Sequence, residues 1–396
     1  MPDRYISVKD KVNGFSFANL GIFRGFGDGI YSAVYSLVIL SILGTSAAVG
    51  IYVAIYSAAM MLITMFATET YKYFSKANIF YVSMLSMAVL FFMMGFSVKD
   101  GTFIALDYAS GIAAVFVGMI LPLFMSDFSK NIGMEKLSGR YTLWVNTGAL
   151  FAPMIAMFFA SNFGERSAFL ISGVIYFFGF LIFKNFRIIQ EDKKAKKINP
   201  HKTARALWDN TVQYFRTKGM TRAYLVSFGF RFLANMRHIY VPIIVIENGF
   251  TKETLGWVLT LGIIPYILLA EPLGRLASRY GSKLWLAIGF ILFAAFSFWA
   301  VFATGWTMLL IFVLWQIPGA FIEPLSDLPF FDAAKEKEKR AKFFGTFRTS
   351  TMLPRFIAPL VGAGFIIFFG GTSAVWITTG IMGLLSAWIL LAPARK

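Results

Sequence analysis

The strongest constraint on this chain is a repeat of about half its length. Residues 139–153 read GRYTLWVNTGALFAP and residues 345–359 read GTFRTSTMLPRFIAP, so both segments begin with Gly and end with Ala-Pro. The same offset, within one residue, relates four further pairs: Arg24 with Arg231, Gly44 with Gly249, Gly50 with Gly256, and Lys72 with Arg279. In an apolar chain, such a repeat predicts two membrane bundles related by an axis along the membrane normal.

The composition supports a location in the membrane. Of the 396 residues, 58% are hydrophobic and 14% are charged, whereas about a quarter of the residues in a soluble domain are charged. Apolar segments long enough to cross a hydrocarbon core of roughly 30 Å recur along the chain. Because lipid offers the backbone no hydrogen-bond partner, these segments are expected to be helices. We therefore predict an all-α polytopic membrane protein with 12 transmembrane helices in two pseudo-symmetric six-helix bundles.

The predicted spans lie on either side of one long hydrophilic stretch. They cover residues 16–43, 46–67, 77–98, 103–126, 141–162, 166–187, 223–246, 252–272, 283–303, 306–331, 346–369 and 373–392. Residues 1–187 are expected to form the N-terminal bundle and residues 221–396 the C-terminal bundle. Residues 188–220 would form a cytoplasmic linker whose apolar residues recur at helical spacing. Two interpretations of the linker stay open, an amphipathic helix on the membrane surface or a solvated tether.

The distribution of basic residues predicts the orientation. Most of the 37 Lys and Arg lie at the termini and in alternate loops, and the opposite loops contain only Lys99, Arg166 and Lys252. Since positively charged loops stay cytoplasmic, both termini are expected inside, in a multi-pass protein of the cell membrane. The net charge of +17 then fits anionic lipid headgroups rather than nucleic acid. Residues 1–15 are too polar for a cleavable signal peptide, so the first span would direct targeting.

Cysteine and histidine usage limits the chemistry. The chain has no Cys, which excludes disulfides, thiolate metal sites and thiol catalysis. His201 and His238 are its only imidazoles, too few for a histidine-rich metal centre. The sequence shows no catalytic grouping typical of membrane enzymes. We therefore expect no enzymatic activity, no cofactor and no metal.

The end of the eighth span resembles a loop signature of the major facilitator superfamily, G-x-x-x-D-R-x-G-R-R. Residues 271–286 read EPLGRLASRYGSKLWL, and the matching residues are Gly274, Arg279, Gly281 and Lys283. In the first half, the equivalent loop keeps Lys72, with Glu69 as the nearest acidic residue. Glycine permits the tight turn between two helices. The resemblance implies that these six residues form gating loops on the cytoplasmic side.

The fifth span resembles a second signature of the same superfamily, G-x8-G-x3-G-P-x2-G-G, which is associated with antiporters. Gly139, Gly148 and Pro153 match it, and the second copy keeps Gly345 and Pro359. Small residues let two helices approach closely, and Pro bends a helix. The signature in the fifth span can therefore have a structural role, as an alternative to marking the protein as an exporter.

The resemblance implies a secondary active transporter that moves a small organic solute by alternating access, coupled to protons. A drug-type proton antiporter that exports hydrophobic compounds is the alternative within this class. A polytopic membrane enzyme or sensor is a distant alternative. The expected partners are a small-molecule substrate, protons and membrane lipids, for a chain that acts as a monomer.

Polar residues inside spans mark the candidate substrate site, since ionisable groups in lipid are costly unless they face a cavity or a partner. At 1.5 Å per helical residue, Arg237, Arg355 and Asn146 are expected near the midplane, with Gln316 in the outer half of the tenth span. A buried Arg stays charged and needs an acid or an anionic ligand. These four residues are the predicted substrate-binding set, in a cavity between the bundles, and the two arginines favour an anionic solute.

Proton coupling needs a titratable group at similar depth. Glu323 and His238 fit, because burial favours the neutral form of a carboxyl group and imidazole exchanges protons near neutral pH. Asp28 is a third candidate, and it lies one turn from Arg24. It could be a partner for Arg24 or a titrating carboxylate.

Two further sets of ionisable residues have a weaker case for a role in substrate binding or proton coupling. Arg24 and Arg231 resemble the arginine pair of organic-phosphate facilitators, but their expected depth near the cytoplasmic boundary favours snorkelling to the headgroups. Four acidic residues near span ends are expected to make cap or gate contacts: Asp107, Asp127, Glu271 and Asp332.

Overall fold

The computed structural model describes residues 5–7, 12–70, 74–128, 134–190, 200–334 and 336–392. The helices of the first half are α1 Gly14–Asn19, α2 Gly21–Leu43, α3 Ser46–Thr70, α4 Lys76–Phe96, α5 Asp100–Asp127, α6 Met134–Phe163 and α7 Ser167–Asn185. The later helices are α8 Pro200–Arg216, α9 Met220–Glu247, α10 Lys252–Tyr280, α11 Ser282–Phe302, α12 Gly305–Leu314, α13 Gln316–Ile322, α14 Leu328–Ala333, α15 Lys337–Phe369 and α16 Ala374–Leu391. Two short strands, β1 Tyr5–Ser7 and β2 Ile189–Gln190, pair antiparallel.

Eleven helical segments within the described residues are long and apolar enough to cross a membrane. They correspond to eleven of the twelve predicted spans. The remaining span is α9, whose 28 residues exceed the length needed to cross a bilayer but include Arg231, Asn235, Arg237 and His238. The prediction of a helical membrane protein with twelve spans is confirmed.

Residues of the chain cluster into two compact units. Unit 1 contains Met1–Ile42, Ala59–Lys196 and Thr251–Thr260, and unit 2 contains Leu43–Ala58, Lys197–Phe250 and Leu261–Lys396. The start of α3 therefore packs within unit 2, and the start of α10 packs within unit 1. Most of each unit comes from one copy of the sequence repeat.

The repeat is visible in the backbone at two helix ends. Gly44 joins α2 to α3 with a φ of 77°, and Gly249 joins α9 to α10 with a φ of 80°. A Cβ at either position would meet no atom within 4 Å, so space is not what requires glycine. The left-handed backbone conformation favours glycine at both positions.

The tenth span is not the continuous helix expected for residues 306–331. It is divided into α12, α13, a 3-10 turn at Glu323–Leu325, and α14. Three prolines occur in this region: Pro318, Pro324 and Pro329. Proline lacks an amide donor and clashes with the preceding turn, which explains the interruption. Beyond the turn, Asp327 accepts a hydrogen bond of 3.4 Å from Ser227 on α9.

The linker helix α8 packs within unit 2. Tyr214 is fully buried among residues that include Phe343 and Phe347 of α15, and its ring centroid lies 5.6 Å from that of Phe343. Burial raises the pKa of the Tyr214 hydroxyl above its usual range, so this hydroxyl stays neutral. Trp208 of the same helix is 69% exposed. One face of α8 is therefore anchored by packing, while Trp208 is left accessible.

Close packing of α2 against α6 gives a test of the fifth-span glycines. A Cβ on Gly148 would lie 2.4 Å from the carbonyl oxygen of Ile22, whereas a Cβ on Gly139 would meet no atom within 4 Å. We expect Gly148→Ala to lower the melting temperature of the purified protein, because overpacking costs about 1–3 kcal/mol. Gly139→Ala should leave it unchanged or slightly higher, since Ala favours helix. Equal melting temperatures for the two variants would contradict a packing role for Gly148.

Candidate functional site

In unit 2, polar side chains from three helices meet at Arg237. Its guanidinium, on α9, donates to Oε1 of Gln316 on α13. It also lies over the ring of Tyr266 on α10, 5.8 Å from the ring centroid. Gln316 is only 6% exposed, so Arg237 is positioned by a buried amide on one side and an aromatic ring on another.

Two glycines make room for these partners. A Cβ on Gly262 of α10 would lie 2.9 Å from Cγ of Gln316, and a Cβ on Gly319 of α13 would lie 1.9 Å from the hydroxyl oxygen of Tyr266. A larger residue at either position would therefore displace one of the two partners of Arg237. Gly262 and Gly319 therefore allow α10 to approach α13, and they also determine the position of the Arg237 guanidinium.

His238 is next to Arg237 on α9 and accepts its hydrogen bond. Nη2 of Arg237 lies 2.9 Å from Nε2 of His238. A guanidinium has only donors, so Nε2 carries no hydrogen and the imidazole is neutral in this arrangement. Protonation of Nε2 would require the guanidinium to move away.

Further charges surround this group. Tyr266 interacts electrostatically with Glu323 and two arginines, and His238 interacts with two arginines. The arginines involved are Arg231, Arg237 and Arg355. Glu323 begins the 3-10 turn and is exposed, in contrast to the buried carboxyl group expected from the sequence. Among these four charged groups the arginines outnumber the carboxylate, which favours an anion near them.

The predicted substrate-binding residues are thus divided between the units. Arg237, Gln316 and Arg355 belong to unit 2, and Asn146 on α6 belongs to unit 1. The sequence analysis did not identify Tyr266 as a site residue. Its position directly after Pro265, inside a predicted span, is the one local feature that could have indicated it. Within the described ranges, no group of three or more His, Asp or Glu side chains could hold a metal ion.

Asp28 lies in a separate polar cluster in unit 1. Its Oδ2 is 3.3 Å from Nε of Arg24 on the same helix, and the Tyr176 hydroxyl donates to its Oδ1. Nη1 of Arg24 donates to the Tyr141 hydroxyl at 2.7 Å. Asp28 therefore forms an ion pair with Arg24, which is one of the two roles expected from the sequence. Side chains of its own unit thus bind the Arg24 guanidinium, and the expectation that Arg24 snorkels stays a prediction.

The predicted gating loop of the second half forms a tight turn. Helix α10 ends at Tyr280, Gly281 has a φ of 86°, and α11 begins at Ser282. The side chains of Arg279 and Lys283 are exposed on either side of this turn. Gly274 lies within α10, and Glu69 lies near the end of α3. Lys72 lies outside the described residues, so a gating role for this set stays a prediction.

Solved structures of several transporters are similar to this chain. A D-xylose-proton symporter has a TM-score of 0.75 at 13% identity, covering 97% of this chain and 98% of that chain. The nucleoside transporter NupG has a TM-score of 0.73 at 12% identity, covering 96% and 98%. A POT family transporter in complex with a thioalcohol-conjugated peptide has a TM-score of 0.75 at 10% identity, covering 95% and 94%. At such low identities the similarity concerns the fold.

Sequence comparison identifies the family. No curated protein sequence matches the chain significantly. The model of the Major Facilitator Superfamily matches residues 17–241 and again residues 224–396, so the two matches together cover nearly all of the described helices. The twelve spans, the repeat and the loop signature agree with this match. The chain belongs to the major facilitator superfamily.

Proposed function

We propose that the protein is a secondary active transporter that moves a small organic anion by alternating access, coupled to protons. The observation that carries this proposal is the arrangement of Arg237, which is held by Gln316 and Tyr266. Two further arginines interact electrostatically with Tyr266 or His238. Nε of Arg231 is buried without a hydrogen-bond partner. A buried unsatisfied donor is costly, and an anionic ligand would satisfy it.

Each predicted residue has a defined role in this proposal. Arg237, Arg355, Gln316 and Asn146 bind the substrate. Glu323 exchanges the coupled proton, with His238 and Asp28 as further proton-exchanging groups. While arginines lie close to Glu323 they favour its charged form, and when they turn to the substrate the carboxyl group takes up a proton. Residues 1–187 and 221–396 act as the two moving bundles.

Substrate binding to the purified protein tests this function. A thermal-shift screen would compare anionic, neutral and cationic metabolites at equal concentration. We expect anionic compounds to raise the melting temperature, because a ligand present at 100 times its Kd stabilises the folded state by about 2.7 kcal/mol. Stabilisation by cationic compounds alone would contradict an anionic substrate.

The alternative of a drug exporter rests on the antiporter-like signature of the fifth span. The packing role of Gly148 accounts for this signature, which weakens the case for a drug exporter.

The proposed orientation places both termini and residues 188–220 in the cytoplasm. Since the chain contains no Cys, a single introduced Cys reports on one position alone. We expect Lys197→Cys to resist an impermeant thiol reagent added to intact cells and to react after the cells are opened. Lys99→Cys, in an opposite loop, should react in intact cells. Labelling of Lys197→Cys from outside would refute this orientation.

A further inference from the structure

A carboxyl group in unit 1 has an environment that the sequence did not predict. Asp107 lies about two turns inside α5, which begins at Asp100, and its exposure is 0%. The expectation of a cap contact is therefore wrong, because the helix begins before Asp107, whereas a gate contact stays a prediction. The Tyr31 hydroxyl donates to Oδ1 of Asp107 at 2.7 Å, and the Tyr35 hydroxyl donates to Oδ2 at 3.3 Å.

The two tyrosines form one face of α2. They are four residues apart, a spacing that aligns side chains on a helix, and their rings stack with centroids 4.8 Å apart. The Tyr31 ring also packs against Phe91 and Phe169, at centroid distances of 5.6 and 5.9 Å. The carboxyl group of Asp107 is thus buried and accepts hydrogen bonds from two tyrosines whose rings stack on each other.

Other titratable groups of unit 1 either contact Asp107 or bind other partners. Tyr31 and Tyr35 of α2 bind Asp107, and Tyr108 of α5 interacts with it electrostatically. Five other charged or titratable groups of unit 1 bind other partners: Lys76 binds Asp127, Arg140 binds Asn19, Tyr141 binds Arg24, Arg166 binds Asp100 and Tyr176 binds Asp28. Helix α1 contains no titratable side chain.

We propose that Asp107 is a proton-binding site of unit 1, in addition to Glu323, His238 and Asp28. Burial disfavours the charged form of a carboxyl group, whereas hydrogen bonds from hydroxyls favour it. A tyrosine hydroxyl both donates and accepts, so Tyr31 and Tyr35 can serve either form. They donate to the carboxylate, and after rotation one of them accepts from the protonated acid. Asp107 thus keeps a hydrogen-bond partner in both its charged and its protonated form.

The protonated form has a direct spectroscopic signature. In pH-difference infrared spectra of the purified protein in lipid, we expect a carbonyl-stretch band of a carboxylic acid that Asp107→Asn removes. Tyr31→Phe should shift the frequency of this band, because a hydrogen bond to the carboxyl group is lost. Asp100→Asn is the matched control, since Asp100 lies on the same helix with a 58% exposed side chain, and it should leave the band unchanged.

Two results would overturn the proposal. One is a set of spectra in which neither Asp107→Asn nor Tyr31→Phe alters any pH-dependent carboxylic acid band. The other is a band that Asp100→Asn removes as completely as Asp107→Asn does. Tyr31→Phe keeps the carboxyl group, so the test stands even if Asp107→Asn fails to fold. The link to transport rests on the proposed function, but the spectra require neither substrate nor gradient, so their failure would leave that function standing.

Discussion

Arg237→Ala is expected to weaken binding of the anionic substrate by about 10- to 100-fold, because a hydrogen bond to a charged group contributes about 1.5–3 kcal/mol. The variant removes the guanidinium and leaves the buried amide of Gln316 without its donor. Arg237→Lys keeps the charge but lacks the planar fork that bridges two partners. We expect its affinity to lie between those of the wild type and Arg237→Ala.

Isothermal titration with the anion selected by the thermal-shift screen measures this effect. Arg348→Ala is the matched control, because Arg348 is an exposed arginine of unit 2 whose guanidinium lies 4.8 Å from the ring centroid of Phe344. It should bind the anion as the wild type does. Equal affinities for Arg237→Ala and Arg348→Ala would remove Arg237 from the substrate site.

Glu323→Gln is expected to abolish uphill accumulation of the substrate while preserving its exchange across the membrane. Glutamine resembles the protonated glutamic acid in shape but cannot release a proton, so the substrate moves without the driving gradient. The exposure of Glu323 means that other side chains do not close off its carboxyl group. Tyr266 interacts electrostatically with Glu323 and also with Arg237 and Arg231, which links the charge of Glu323 to the arginines.

Vesicles reconstituted with each variant separate the two activities. Accumulation is measured with a pH gradient, and exchange is measured with labelled substrate on one side and unlabelled substrate on the other. Glu336→Gln is the control, because Glu336 is an exposed carboxylate of unit 2 that pairs with Lys339 at 2.7 Å. Proton-driven accumulation by Glu323→Gln at the wild-type level would leave Glu323 with a structural role only.

Features of the fold that depend on local sequence could be predicted. The apolar spans determine the helices, and the repeat aligned Gly44 with Gly249, which share a positive φ. The signature loop predicted the turn at Gly281 for the same reason. The broken tenth span was not predicted, although its three prolines disfavour a continuous helix.

Features that depend on contacts between distant residues could not be predicted. Asp107 is bound by hydroxyls that precede it by more than 70 positions, and no local pattern relates α2 to α5. Tyr266 is one of 16 tyrosines, and only the packing of α10 against α13 brings it to Arg237. Polar residues inside spans indicated the candidate site, but their partners required the tertiary structure.

Proton-driven transport in a reconstituted system tests the central claim most directly. Vesicles containing only this protein and lipid would receive the anion selected by the thermal-shift screen, with and without an imposed pH gradient. We predict accumulation above the external concentration when the gradient is present, and its collapse to equilibrium when a protonophore is added. Uptake that never exceeds the external concentration and is unchanged by the protonophore would contradict a proton-coupled secondary transporter.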